Sequence, residues 1–489
     1  MTTPIKLFLF ISLYFCSNLL LGQENTYNFD KKFSVSELQE DFKLMRKHLE
    51  MVHGGIYTYT DKATFDQRFD HLYEQIQQPM TELEFYALVG TLSADIKDSH
   101  TSIEPSGKCV DYIDEVQPML PLGFRWIEGH FYLSRNLSED DDFQEGWELL
   151  EINGEAVAAI LQRFMAYPER DGDNLTSPER IVAGSFQDRY AMLVARPEVH
   201  QLVFKNEQNE RVVKSVKSLS WPRQLEIWEE RYGAYPSNKE QLAFTIKPNK
   251  TAILKVRSWH PGRIKNGGQN YKRFFKETFK QIEKENVEHL ILDMRNNGGG
   301  SEVVFMRCLD HLLNQPYKVY KELSARSITF PDKKLYPNDR VKALELYGKL
   351  KMEKRGDRYY VKKDPSLKLK KPKGPYYGGK LYILINEFSH SATGDLSGVL
   401  MQQDRGIFIG NETGGNPYEN VAGESPALHL PHTGLRVRIP VLKYKINIDQ
   451  ANTRHGAIPD HRVIPGMEDY LSGNDKVLNY TLDLIKQQK

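Results

Sequence analysis

Apolar positions recur at three-to-four spacing in the first part of the chain, then at strand spacing, and finally in a mixture of both. In SVSELQEDFKLMRKHLEMVH (34–53), Leu38, Phe42, Met45 and Leu49 share one face of a helix opened by a serine cap. DKATFDQRFDHLYEQIQQ (61–78) and TELEFYALVGTLSADI (81–96) continue the helical pattern, the latter from a Thr81–Glu84 capping box. It runs out at KDSHTSIE (97–104), which reads as a turn into a strand, so 35–115 forms an N-terminal helical segment. Short strand-like pieces take over in 116–218, with a tight Asn153-Gly154 turn before an amphipathic helix. From about 245 the pattern is α/β: FTIKPNKTAILKVRSW (244–259) predicts paired strands, NYKRFFKETFKQIEKENV (270–287) a helix and EHLILDMR (288–295) a buried strand. Strands alternating with helices imply a mixed α/β fold whose main sheet is mostly parallel and covered by helices. A Lys- and Tyr-rich stretch, 317–379, interrupts the pattern and reads as a solvated loop or lid.

Composition narrows the class. The chain has 489 residues, a hydrophobic fraction of 40% and a net charge of +1, which suits a multi-domain globular protein and argues against a nucleic-acid or polybasic membrane partner. The first 22 residues differ from the rest: a short basic start, the apolar run LFLFISLYFCSNLLL, then Gly22. This is the pattern of a signal peptide cleaved after Gly22, predicting an exported protein, and no other stretch approaches membrane-spanning length. Cys109 and Cys308, the two cysteines outside the leader, lack the spacing of a zinc site and are expected to be buried thiols.

Three stretches carry candidate chemistry. FSHSATGDLSG (388–398) lies between the apolar run KLYILIN (380–386) and VLMQQD (399–404). A serine at a strand-to-helix turn has its hydroxyl thrust forward beside free helix amides, as acyl transfer requires; on this stretch alone Ser389, Ser391 and Thr393 could equally be helix caps. LILDMRNNGGGS (290–301) ends a buried strand in three glycines whose amides are unshielded, with Asp293 and Arg295 set to hold the loop by pairing. KDSHTS (97–102) offers His100 as a base for the serine hydroxyl.

Taken together, D-S-H-T, L-D-M-R-N-N-G-G-G, S-A-T-G-D followed by G-I-F-I-G-N-E-T-G-G, and a closing G-A-I-P-D resemble the S41 serine peptidases, the tail-specific processing peptidases and the tricorn core. The likeness covers about 35–115 and 245–465, and GWELLEINGEAVAAILQRF (146–164) resembles part of a PDZ-like module inserted between them. The resemblance implies an S41 core over 219–489, the helical segment 35–115 contributing a histidine, and a PDZ-like domain over 116–218. By position, Ser391 matches the family nucleophile, and the amides of Ala392 and Gly299 match the oxyanion donors. Asn416 stands where processing peptidases place a lysine, so a Ser-Lys dyad is not expected. Ser99-His100 instead matches the serine–histidine pair of the tricorn branch, and Asp449 is the candidate acid orienting His100. These assignments predict a serine peptidase acting on peptides or unfolded proteins, without metal or organic cofactor. The rival prediction is an inactive peptide- or hydrophobic-ligand-binding protein on the same fold.

Overall fold

The computed structural model describes residues 26–235, 240–337 and 340–487. The expected leader, 1–22, lies outside the described residues.

At the centre is a six-stranded sheet ordered Leu242–Lys247, Thr251–Val256, His289–Asp293, Lys380–Ile385, Ile407–Gly410, His461–Arg462. The first pair is antiparallel and every later pair parallel. His289–Asp293 is buried at every position because helices cover both faces of the sheet. Strand alternation sorts its side chains. Leu290 and Leu292 pack in the larger core with Phe275, Phe279, Val304 and Leu396, whereas Ile291 joins Tyr382, Leu384 and the C-terminal helix residues Val477 and Ile485.

The N-terminal helices do not form a separate body. Leu38, Phe42, Leu49 and Phe69 share one core with Leu428, Leu435, Val437 and Ile439. The strand Ser102–Glu104 pairs antiparallel with Arg436–Arg438, fixing the 97–101 turn against the C-terminal part of the chain. Residues 116–218 carry a sheet ordered Leu122–Ile127, His130–Asn136, Glu148–Ile152, Val199–Lys205, Arg211–Lys217, with its own core around Phe131, Phe164 and Phe204.

The 317–379 stretch differs from the expected loop. Tyr320–Ala325 pairs with Leu442–Ile446 and with the hairpin strand Arg358–Val361, inside a five-stranded sheet. Buried Tyr320, Leu323 and Ala325 anchor it to the main core, while the lysines occupy the solvent side. The charge run described the exposed face and hid the alternation beneath it.

Candidate active site

Two neighbouring parallel strands end side by side, and the site forms where they stop. After Lys380–Ile385 the chain turns through 386–391 into the helix Ala392–Gln402; after His289–Asp293 it enters the triple-glycine loop. Ser391 stands at the N-cap of that helix but makes no capping hydrogen bond. Its backbone has φ +53° and ψ −124°, a conformation costing about 1–3 kcal/mol for a residue with a side chain. Neighbouring side chains hold this elbow. Ser389 Oγ donates to the Met294 carbonyl at 2.9 Å, Thr393 Oγ1 to the Asn297 carbonyl at 2.9 Å, and the His390 N–H to the same carbonyl at 3.0 Å. The hydroxyl-rich sequence is thus divided: Ser389 and Thr393 fasten the turn, and Ser391 is left pointing forward.

Ser391 Oγ lies 3.0 Å from His100 Nε2, across 291 positions of sequence. With the hydroxyl donating to Nε2, the ring proton sits on Nδ1, which faces Ser99 Oγ at 3.3 Å and Asp98 Oδ1 at 3.9 Å. Asp98 is buried, and its Oδ2 accepts from Thr101 Oγ1 at 2.5 Å. His53 completes the layer behind. Its Nδ1 accepts from the Gly55 N–H, so Nε2 carries the proton toward Thr101 Oγ1 at 2.7 Å and Asp98 Oδ2 at 3.3 Å. Burial works against the charged form of Asp98, but hydrogen bonds and charge from His100 and His53 outweigh it and hold the carboxyl below its ordinary range. Asp171 stands on the same side. Its carboxyl accepts the Ser99 N–H at 2.9 Å and the Asn416 N–H at 3.0 Å, while burial and the charge of Asp98 raise its pKa.

Asp449 is not beside His100. Its side chain is 82% exposed and engages Lys321 and Gln402. The stretch 447–451 runs along the outside of the Tyr320 strand, because the Asn447 N–H donates to Val319 and Lys321 takes the Ile448 carbonyl. The acids facing the imidazole are Asp98 and Asp171, which the sequence reading passed over. Asp98 was two residues from the candidate base; Asp171 had no local signal, since it lies 71 positions further along the chain.

Gly299 is also corrected as an amide donor. Its N–H donates to Asn297 Oδ1 at 3.0 Å in a local side-chain turn. Gly299 instead supplies space: at φ +96°, a Cβ there would come within 2.7 Å of Ser391 Cβ. Among the described residues the N–H groups of Gly298, Gly300 and Ala392 have no protein acceptor. The Trp259 strand takes Gly299 O and Ser301 N, so the Gly300 N–H points away from that pairing.

Asn416, where a lysine would serve as base, caps its own turn. Its Oδ1 accepts from the Tyr418 and Glu419 N–H groups, and Nδ2 donates to Asn452. Arg295 pairs bidentately with Asp293 and with Asp475, pinning the glycine loop as expected. His390 walls the site, its ring centroid 6.1 Å from that of His100; burial and the charge of His100 push its pKa down to about 3, leaving it neutral. Asp98, His100 and Asp171 offer ligand atoms within 4.8 Å of one another. Asp171 and Asp98 Oδ2 are already engaged by protein donors, so the set fits a charge network better than an ion.

A serine on a strained elbow, an imidazole in hydrogen-bond reach and unengaged amides beside them are what a serine-type hydrolase requires. Residues 250–463 match the model of Peptidase family S41. A comparison with curated proteins found no match. Among solved structures the chain is similar to mature CPAF, at 14% identity over 92% of this chain and 98% of that one, with a TM-score of 0.64. It is similar to mature CPAF complexed with lactacystin at 15% identity, over 92% and 100%, with a TM-score of 0.60. A photosystem II D1 C-terminal processing protease aligns at 15% identity over 90% and 96%, with a TM-score of 0.42. Residues 250–463 thus carry a peptidase family S41 core. The chain is a serine-type peptidase. No helix among the described residues is long and apolar enough to cross a membrane.

Proposed function

We propose that the chain is an exported peptidase that cleaves peptide bonds through an acyl-enzyme on Ser391, with His100 as general base and acid. The carrying observation is the 3.0 Å approach of His100 Nε2 to Ser391 Oγ on a strained elbow. Ser391 Oγ attacks the substrate carbonyl carbon as its proton passes to Nε2. The carbonyl oxygen becomes an oxyanion received by the Ala392 N–H, first of the elbow helix, and the Gly300 N–H. His100 then gives its proton to the departing amine nitrogen, leaving an ester on Ser391. Water attacks the ester, Nε2 takes a water proton, and collapse returns a proton to Ser391 and frees the carboxylic acid product. The Ser99 hydroxyl, 3.3 Å from Nδ1, accepts the ring proton's hydrogen bond, and the Asp98 charge 3.9 Å away favours the imidazolium that forms in each step. This gives Asp98 the role the sequence assigned to Asp449.

The leader-like first 22 residues support export. The 116–218 module, read as PDZ-like, would present an extended substrate by strand addition. Its Arg211–Lys217 strand is an edge with Val213 largely exposed, whereas the Leu122 carbonyl near the other edge is taken by Gln187.

Hydrolysis of an unfolded protein such as reduced, carboxymethylated casein tests the reading. The wild-type chain should cleave it, and Ser391→Ala and His100→Ala should each lose at least 10³-fold in rate. Binding without cleavage by the folded wild-type chain would favour the rival reading of an inactive peptide binder.

A further inference from the structure

The general base lies in the N-terminal segment and the nucleophile in the C-terminal core, yet the segment bridging their surroundings belongs to neither. Residues Asp171-Gly172-Asp173-Asn174 of the 116–218 insertion run between the His100 turn and the loops at 413–416 and 454. Each of the four makes a bond there. Asp171, 1% exposed, accepts the Ser99 N–H at 2.9 Å and the Asn416 N–H at 3.0 Å. The Gly172 N–H donates to the Lys97 carbonyl at 2.9 Å. At φ +64° Gly172 passes so close to Arg454 that a Cβ would overlap the Arg454 carbonyl oxygen. The Asp173 N–H donates to that carbonyl at 2.7 Å, and its carboxylate bridges Lys97 and Arg454 at 2.6 Å each. Asn174 Nδ2 donates to the Thr413 carbonyl at 2.7 Å. One helix further, Arg180 lies 3.6 Å from Glu387 and stands over the Phe388 ring, in the elbow itself.

We infer that Asp171 is a positioning residue by which the inserted module sets the register between the His100 turn and the Asn416 loop, so that the imidazole meets Ser391 only while the module is docked. The two accepted N–H groups are 317 positions apart in sequence, and a carboxylate is the one side chain of this length with two acceptor oxygens to take both. The carboxyl also lies within 4.8 Å of a ring nitrogen of His100. Rupture of the staple would leave two buried amides unpaired and let the His100 turn drift. A displacement of about 1 Å at a reacting pair costs on the order of 10²-fold in rate. This inference rests on the Ser391–His100 reading.

The test is the rate constant for fluorophosphonate labelling of Ser391 in the full chain, followed from pH 5 to 9, with kcat and KM on a peptide and the melting midpoint measured alongside. Asp171→Asn keeps shape and one acceptor but loses the second acceptor and the charge. Its labelling rate and kcat should fall at least tenfold with KM within about twofold. The acidic limb of its profile should move to lower pH, since the imidazole loses a neighbouring negative charge. The groups facing His100 in that profile are Asp98 on its own turn, His53 at the end of the first helix, His390 from the elbow, and Asp395 one turn along the elbow helix; Tyr59 faces Asp171. Asp173→Asn, at a half-exposed position, loosens the same staple and should lower the labelling rate severalfold without moving the limb. If Asp171→Asn does not fold, Asp173→Asn alone decides. Wild-type rates and an unmoved limb in the folded variants overturn the inference. Failure of the wild-type chain to label overturns the Ser391–His100 reading instead.

Discussion

Replacing Asp98 by Asn tests which acid serves the imidazole. The substitution preserves volume in a buried site and removes one charge. In the proposed mechanism His100 is protonated in the transition state, with Nδ1 3.9 Å from Asp98 Oδ1. At an effective dielectric constant of about 20, two unit charges at that separation attract by about 4 kcal/mol. Loss of that attraction should lower kcat/KM by roughly 10³-fold, at about 1.4 kcal/mol per decade. The loss should fall mainly on kcat, because the imidazolium exists only during the chemical steps. The assay is steady-state cleavage of a fluorogenic peptide, normalised to the fraction of chains that a fluorophosphonate titrates. Asp449→Ala is the matched control. Its solvent-exposed carboxylate should be dispensable, with kcat/KM within twofold of wild type. If Asp98→Asn stays within tenfold of wild type while Asp449→Ala falls by orders of magnitude, the assignment of the acid is wrong.

Two further predictions concern the elbow and its support. Gly299→Ala drives a Cβ against Ser391 and into a backbone region with φ +96°, so activity should fall at least 10²-fold and stability by about 1–3 kcal/mol, read by urea denaturation and peptide cleavage. Asp395, one turn beyond Ser391, is buried between donors, Tyr320 O–H and Asn420 Nδ2, both at 2.6 Å, and burial lifts its pKa to about 7. The folded state therefore holds this proton more tightly than the unfolded chain, so the stabilisation is complete below about pH 4 and lost as pH rises through 7. The difference in unfolding free energy between wild type and Asp395→Asn should accordingly shift against the wild type by roughly 4 kcal/mol from pH 4 to 8. A pH-independent difference would contradict the shift.

Local chemistry made the helices, the parallel strands and the elbow legible. The Thr81–Glu84 box caps the helix Glu82–Val89 as its spacing implied, and the all-apolar run before Asp293 forms a central strand. His100 and Ser391 were legible because each sits in a short motif whose residues also shape its turn. The rest was hidden where function depends on partners distant in sequence. Asp449 was chosen by its position before the final Pro-Asp turn, but sequence order does not reveal that Val319 and Lys321 carry that stretch along the outer strand. Gly299 was matched to an oxyanion donor by position in the family motif; Asn297 two residues earlier takes its N–H. Asp171 could not be read at all, since the two amides it accepts lie 72 and 245 positions away.

The central claim is that the hydroxyl of Ser391 is made nucleophilic by His100. Intact-mass and peptide mapping of the chain after fluorophosphonate treatment at neutral pH tests it most directly. One adduct per chain on Ser391, absent from Ser391→Ala and formed at least 10²-fold more slowly in His100→Ala, is the result expected. A folded wild-type chain that takes no adduct, or one that labels equally fast without the imidazole, would contradict it.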